Sequence, residues 1–368
     1  MILKTAPQPV KLFSDHSHYG RERRDQLADI LRPFWKDAPF TEKQRKQMYG
    51  LSAGDFCLVD DLTQADIAVL PMTWNHYLKR RELPRALDFI RAARRIGRPI
   101  LSYVSGDEGV TVPPEFDDVY VVRASGFRSR RRKRQIAQPV FFDDPLKRYP
   151  DLESYDRPTK GEARPSVGFC GQVSVNVFKL FMDVFRSILR NGAFRLGLRQ
   201  AEPQPLYPPA LIRGRALRIL GRSQLVKTQF VIRSRYRAGA VGIDSRQRTS
   251  REFYENIAGT DYTLCVRGGG NFSKRFYETL AMGRIPVLVD TDCLLPFEEE
   301  LPWDQAAVRI SSRQLGLLPR RVADHFRTMG LTGLAELKKA NRKLWVEELS
   351  FDGFHRKVVR KLVTGAAP

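Results

Sequence analysis

Residues 263–290 change hydrophobic period twice within one short stretch. Residues 263–266 are a brief β-prone run, and Arg267-Gly268-Gly269-Gly270-Asn271 follows as a glycine-rich turn. From Ser273, the candidate helix cap, apolar side chains recur at i and i+4, Phe276 with Leu280 and Tyr277 with Ala281. Gly283 closes that helix. Residues 285–289 are then almost continuously apolar, the pattern of a parallel strand covered on both faces. The stretch therefore predicts strand, loop, helix, strand, and the rest of the chain is organised around it.

Elsewhere short apolar runs alternate with helical periods. Residues 10–13, 66–70, 99–104 and 119–123 predict strands in the first half, with helices at 21–32 and 79–96. Residues 146–165 are polar, proline-rich and aperiodic, which marks a linker. Residues 166–171 open a second set of strands and a helix is predicted at 176–191. A strand near 230–233, a helix at 250–257, a strand at 307–310 and helices at 311–328 and 334–349 follow. The alternation predicts two α/β domains, 1–150 and 166–345, with residues 346–368 as a helix packing back onto the first. Residues 192–236 carry spaced prolines and then a basic helix, and take no assignment from the pattern.

The central unit offers unpaired amides and the positive end of a helix dipole at a strand's C-terminal edge, where anions bind. Arg267 flanks that loop, and Arg275 and Glu278 stand one helical turn apart. An arginine there suits a phosphate, and a carboxylate suits a pair of sugar hydroxyls. A solvated Arg/Glu pair on an ordinary βαβ helix fits the same spacing. Arg267-Gly268, Ser273, Arg275-Phe276-Tyr277-Glu278, Leu280, Gly283 and Ile285-Pro286-Val287 resemble the signature of the exostosin family of glycosyltransferases.

That resemblance implies a GT-B fold, two Rossmann-like domains facing across a cleft, with the C-terminal domain holding a nucleotide-sugar. It implies inversion at the anomeric carbon without an essential metal. The donor set it assigns is Arg267, the amides of Gly268, Gly269 and Gly270, Ser273, Arg275 and Glu278, with Gly171 at the turn that opens the second domain. Arg246 is added as a cation for the leaving diphosphate, because charge develops there in the transition state. A UDP-linked donor and a glycan or lipid-linked glycan acceptor are the implied partners. A fucosyltransferase-like enzyme with a GDP-sugar is the second reading, since that group shares a looser form of the motif.

An inverting transferase needs a base for the acceptor hydroxyl. Asp107, then Glu108, at the end of the 99–104 strand are the candidates, and His16 or His18 at the end of the first strand is the other. Helix capping and turn formation account equally for these residues. Asp290 and Asp292 have the i, i+2 spacing of a divalent-metal pair, but they end the strand of the central unit, so no metal site and no cofactor is expected.

At 368 residues the chain exceeds one ordinary core, in keeping with two domains. No apolar run reaches the length of a membrane span, and the opening residues lack the apolar core of a signal peptide. The expectation is a cytoplasmic protein, with peripheral contact at the inner membrane face. The four cysteines are widely spaced in apolar runs, as reduced core thiols would be. A net charge of +22, concentrated at 128–134 and 213–251, raises nucleic acid as a partner. No nucleic-acid module and no aromatic interleaving accompany it, so an anionic membrane face or acceptor and a merely solvated surface come first, with a basic nucleic-acid-binding protein kept as the alternative from another class.

Overall fold

The computed structural model describes residues 8–35, 40–153, 164–173, 177–233, 239 and 242–365. The first domain's strands are β1 (Val10–Phe13), β2 (Phe56–Val59), β3 (Ile67–Val69), β4 (Ile100–Val104), β5 (Tyr120–Arg123) and β6 (Gln135–Ala137). They form one parallel sheet in the order β2-β1-β3-β4-β5-β6. Helices α1 (Glu42–Tyr49), α2 (Trp74–Arg80), α3 (Leu83–Arg95) and α4 (Pro145–Arg148) accompany it. The helix expected at 21–32 is instead two 3-10 turns, Arg21–Gln26 and Asp29–Leu31. The helix expected at 79–96 is broken at Arg81, whose left-handed φ of 58° caps α2. Strands β2 and β6 escape the pattern because both are edge strands of three or four residues.

The second domain has β7 (Ser166–Gln172), β8 (Lys227–Arg233), β9 (Tyr262–Cys265), β10 (Ile285–Asp290) and β11 (Val308–Ser311), in the order β11-β10-β9-β7-β8, again parallel. Its helices are α5 (Val177–Arg195), α6 (Pro209–Gly221), α7 (Ile243–Ala258), α8 (Lys274–Ala281), α9 (Trp303–Ala306) and α10 (Leu318–Leu344). The helices expected at 311–328 and 334–349 prove to be a 3-10 turn, then α10 kinked at Gly330, then a π turn over Trp345–Leu349. In both sheets the chain reverses direction of growth beside the first strand, between β1 and β3 and between β7 and β9. Such switch points are where doubly wound sheets place ligands, at the strands' carboxyl ends. The chain is thus α/β with two Rossmann-like halves, the arrangement expected from the resemblance.

The last helix, α11 (Phe351–Thr364), lies in the core of the first domain. Phe354, Val358 and Val359 are fully buried there among Leu12, Ile67 and Tyr103. Each such side chain contributes about 2 kcal/mol of burial. Of the expected linker, the part at 154–163 lies outside the described residues. Its beginning is ordered: α4 follows Asp144, which caps it and forms a two-pronged pair with Arg342 of α10 at 2.9 and 2.6 Å.

Candidate functional site

The loop between β9 and α8 is where the two sheets meet. Asn271 is fully buried at its centre and draws partners from both domains. Its amide N–H donates to Ser125 Oγ (3.1 Å), and Nδ2 donates to the carbonyls of Gly126 and Asp292, each at 2.9 Å. The three glycines before it all have φ outside the left-handed region, so turn geometry does not demand them. Close approach demands the second and third of them. A Cβ on Gly269 would stand 2.6 Å from Asp107 Oδ2, and one on Gly270 would stand 2.4 Å from the Asp107 carbonyl oxygen. The acid named from β4's end is therefore laid directly against the glycine loop of the opposite domain. Its turn is fixed by Ser105, whose N–H donates to Asn75 Oδ1 at 2.8 Å.

Three guanidinium groups converge at the switch point between β7 and β9. Arg267 is buried, 4% exposed, and reaches Gln204 Oε1 (2.7 Å) and the Gly269 carbonyl (3.0 Å). Arg275 is half-buried between the rings of Phe169 and Phe253, 4.3 and 5.7 Å away, and donates to the Cys170 carbonyl at 2.8 Å. Gly171 exists to admit it, since a Cβ there would lie 2.6 Å from Arg275 Nη2. Arg213, at the start of α6, donates to the carbonyls of Gln172 (2.9 Å) and Arg267 (3.2 Å).

Among the described residues none of the three forms an ion pair, and the Nε of each is buried without a hydrogen-bond partner. Desolvation lowers the pKa of all three, and the neighbouring Arg275 helps pull Arg213 down to about 10. Cations assembled at an energetic cost, with carbonyls and rings for company in place of carboxylates, are complementary to an anion. The cavity beside them, about 280 Å³, is lined by Arg267, Gly269, Glu108, Arg186, Arg190 and Arg199. A wider groove of about 620 Å³ lies at the other, N-terminal edge of β11, around Arg320, Asp324 and His325, far from these groups.

Residues 223–323, which hold this loop and the strands on either side, match the family model of the Exostosin GT47 domain. Over that stretch the chain is similar to an exostosin domain. Similar proteins include the Exostosin-1 homolog of Caenorhabditis elegans, 35% identical over 68 residues, 18% of this chain and 18% of that protein. A probable glucuronosyltransferase, GUT1, of Oryza sativa subsp. japonica is 34% identical over 59 residues, 16% of this chain and 14% of that protein. The chain spans less than a fifth of the length of either relative. Among solved structures, a glycosyltransferase from Rickettsia africae ESF-5 superposes with a TM-score of 0.38 at 11% identity, covering 97% of this chain and 99% of that one.

Within the second domain the other named residues divide. Glu278 is buried, 7% exposed, and faces Lys274 Nζ at 3.3 Å and Tyr254 Oη at 3.5 Å, not Arg275 across one turn. Burial, with Glu278 adding to it, pushes the Tyr254 phenol far above its ordinary pKa. Ser273 stands at the cap position of α8 but its side chain makes no cap hydrogen bond. Arg246 sits exposed on the first turns of α7, and no side-chain contact joins it to the cluster. The cation that does lie beside Arg267 is Arg213, in the segment the hydrophobic pattern left unassigned.

On the facing domain, Glu108 is engaged by Arg190 (3.3 Å) and Arg199, which leaves it poorly placed as a free base. His16 is exposed and stacks on Trp35 with ring centroids 4.1 Å apart, while buried His18 meets Tyr77 Oη at 2.8 Å. Desolvation and then Arg85 lower the His18 pKa. The Asp290 and Asp292 carboxylates are occupied as well. Asp290 receives Arg128, Arg309 (3.2 Å) and the Cys293 N–H (2.9 Å), and Asp292 receives the Ser129 N–H at 3.1 Å and its hydroxyl. Among the described residues no His, Cys, Asp or Glu group has a metal-binding arrangement.

The 128–134 block makes ion pairs within the chain. Arg128 and Arg131 bind Asp290 and Glu299 of the second domain, Arg132 binds Asp117, and Arg134 donates to the Asp118 carbonyl over the Tyr120 ring. Arg128 and Arg131 thus tie the first domain to the second, while Arg132 and Arg134 stay within the first. The segment that defeated the pattern, residues 196–208, is a strap across the cleft. Ala201 bridges to Val110, Gln200 Nε2 donates to the Leu78 carbonyl at 3.0 Å, and Glu202 grips Arg123 through both oxygens at 2.9 and 2.6 Å.

Proposed function

We propose that this chain is an inverting GT-B glycosyltransferase, moving a sugar from a nucleoside-diphosphate donor, UDP-linked, to a glycan or lipid-linked glycan. The observation that carries the reading is the set Arg213, Arg267 and Arg275, gathered without acidic partners at the second domain's switch point. Departure of the nucleoside diphosphate builds negative charge on its bridging oxygen. Three fixed cations and the amides at the head of α8 oppose that charge without a divalent ion. Glu278, held by Lys274 and Tyr254, orients hydroxyls of the ribose or the sugar. Asp107, exposed on the first domain and pressed against Gly269, takes the proton of the acceptor hydroxyl as it attacks the anomeric carbon from the face opposite the leaving group. The name of the rice relative makes a glucuronosyl donor the first to try.

A thermal-shift panel of UDP, GDP and CMP, each with Mn²⁺ or with chelator, tests the donor. Stabilisation by UDP that chelator leaves intact is the expected result. A shift that disappears with chelator returns Asp290 and Asp292 to consideration, and a response to GDP alone favours the fucosyltransferase-like reading. Replacing Arg275 by Lys removes a planar fork that also stacks on Phe169, and is expected to weaken UDP about tenfold or more.

A further inference from the structure

Helix α5 is built as an amphipathic helix, yet none of its residues 180–195 is buried. Phe181, Phe185, Ile188 and Leu189 fall at i, i+4, i+7 and i+8, one stripe, and are 67%, 46%, 49% and 57% exposed. The turn beyond the helix continues the stripe with Leu196 at 76% and Leu198 at 80%. Asn191 holds residue 204 against the helix through two hydrogen bonds, of 2.8 and 3.1 Å, and Leu206 and Tyr207 just beyond are half exposed too. A continuous apolar face of this size on a soluble surface marks a partner.

The charges around the face choose that partner. Residues 177–201 contain Lys179, Arg186, Arg190, Arg195 and Arg199 against a single acid, Asp183; Arg190 and Arg199 turn inward to Glu108, and Arg186 is 3.8 Å from Asp183. Arg186 and Arg195 are exposed beside the stripe. Apolar side chains on one face, arginines on its flank and an aromatic at its rim are the composition of a helix lying in a lipid–water interface, drawn to anionic headgroups. The other side of α5 lines the 280 Å³ cavity with Asp183, Arg186, Ser187 and Arg190. The helix thus separates that cavity from the surface by its own width.

We infer that the apolar face of α5 and the turn after it is an interfacial element that docks this protein on an anionic lipid bilayer, with the cavity opening beside the headgroups. The assignment goes beyond the transferase reading and stands on different residues. The arginines of the 128–134 block are not needed for it.

Co-sedimentation of the full chain with phosphatidylcholine vesicles, and with an equal mixture of phosphatidylcholine and phosphatidylglycerol, provides the test. Binding to the mixed vesicles at least about tenfold tighter than to the neutral ones is expected, weakening with salt. The variant Phe181→Ser with Phe185→Ser and Leu189→Ser should lose about tenfold or more of that binding. Its thermal shift with UDP reports separately on the fold and on the donor site. Indifference to both vesicle types overturns the assignment, and so does binding that survives the triple substitution. A wild-type dimer that the same substitutions dissolve overturns it as well, by showing that a second copy covers the face.

Discussion

Three consecutive glycines carry three different burdens, and this is visible only when both domains are present. Gly268 has no atom within 4 Å of a built Cβ, Gly269 faces the flexible end of Asp107, and Gly270 faces the Asp107 backbone and the Phe272 ring. Alanine is therefore expected to be nearly neutral at 268, within about 0.5 kcal/mol. At 270 it should cost about 1–3 kcal/mol, because neither backbone nor ring can yield cheaply. Urea midpoints of the single variants check the order 268, 269, 270, and equal losses at all three would refute the close-approach account. The sequence made the loop legible through its glycines but assigned them to turn geometry. What it could not show was an acid arriving from residue 107. Arg267 and Arg275 were legible because they lie inside one strand–helix unit. Arg213 was not, since its partners are carbonyls at 172 and 267 and its own helix reads as an ordinary basic one.

At the scale of elements, local period found the helices and strands that are long or central, and failed where tertiary contacts decide. The strap at 196–208 has no period because every anchor it has is on another element. Its pair between Glu202 and Arg123 is nearly buried, at 16% and 4% exposure. Glu202→Ala strands a buried cation and is expected to cost about 3 kcal/mol or more, whereas Arg123→Met combined with Glu202→Leu should recover much of the loss. Chemical denaturation of the single and double variants decides, and a double variant no better than the single would contradict it. Helix α11 supplies a pH test. His355 is fully buried among Tyr103, Phe141 and Phe351, and burial pushes its imidazole down to about 4 from 6.5. The unfolded chain binds the proton first, so this contribution is intact above about pH 6.5 and is lost as pH falls toward about 4. Between about pH 7 and about pH 5 the wild type should lose about 2 kcal/mol more than His355→Phe, measured by urea titration. Parallel pH profiles would remove His355 from the account.

For the whole molecule, charge and topology tell one story. Two parallel sheets, of six and five strands, face each other through Asn271, the 125–132 segment and the strap, and Arg128 and Arg131 of the first domain pair with acids of the second. Asn271→Ala deletes the Nδ2 bonds to Gly126 and Asp292, and should loosen the domains before it unfolds either, seen as faster proteolysis of the intact chain. Composition alone pointed outward, to nucleic acid or a membrane, because ion pairs between residues 128 and 290 are invisible to a local reading of charge. At the switch point between β7 and β9, Arg213, Arg267 and Arg275 are buried or half-buried cations without an ion-pair partner among the described residues. The most direct measurement is a crystal structure of the protein soaked with UDP in the presence of chelator. The account predicts diphosphate density within hydrogen-bond distance of Arg213, Arg267 or Arg275, with Glu278 on a hydroxyl. Diphosphate bound elsewhere, or side chains of those arginines closed over a site that excludes it, would contradict it.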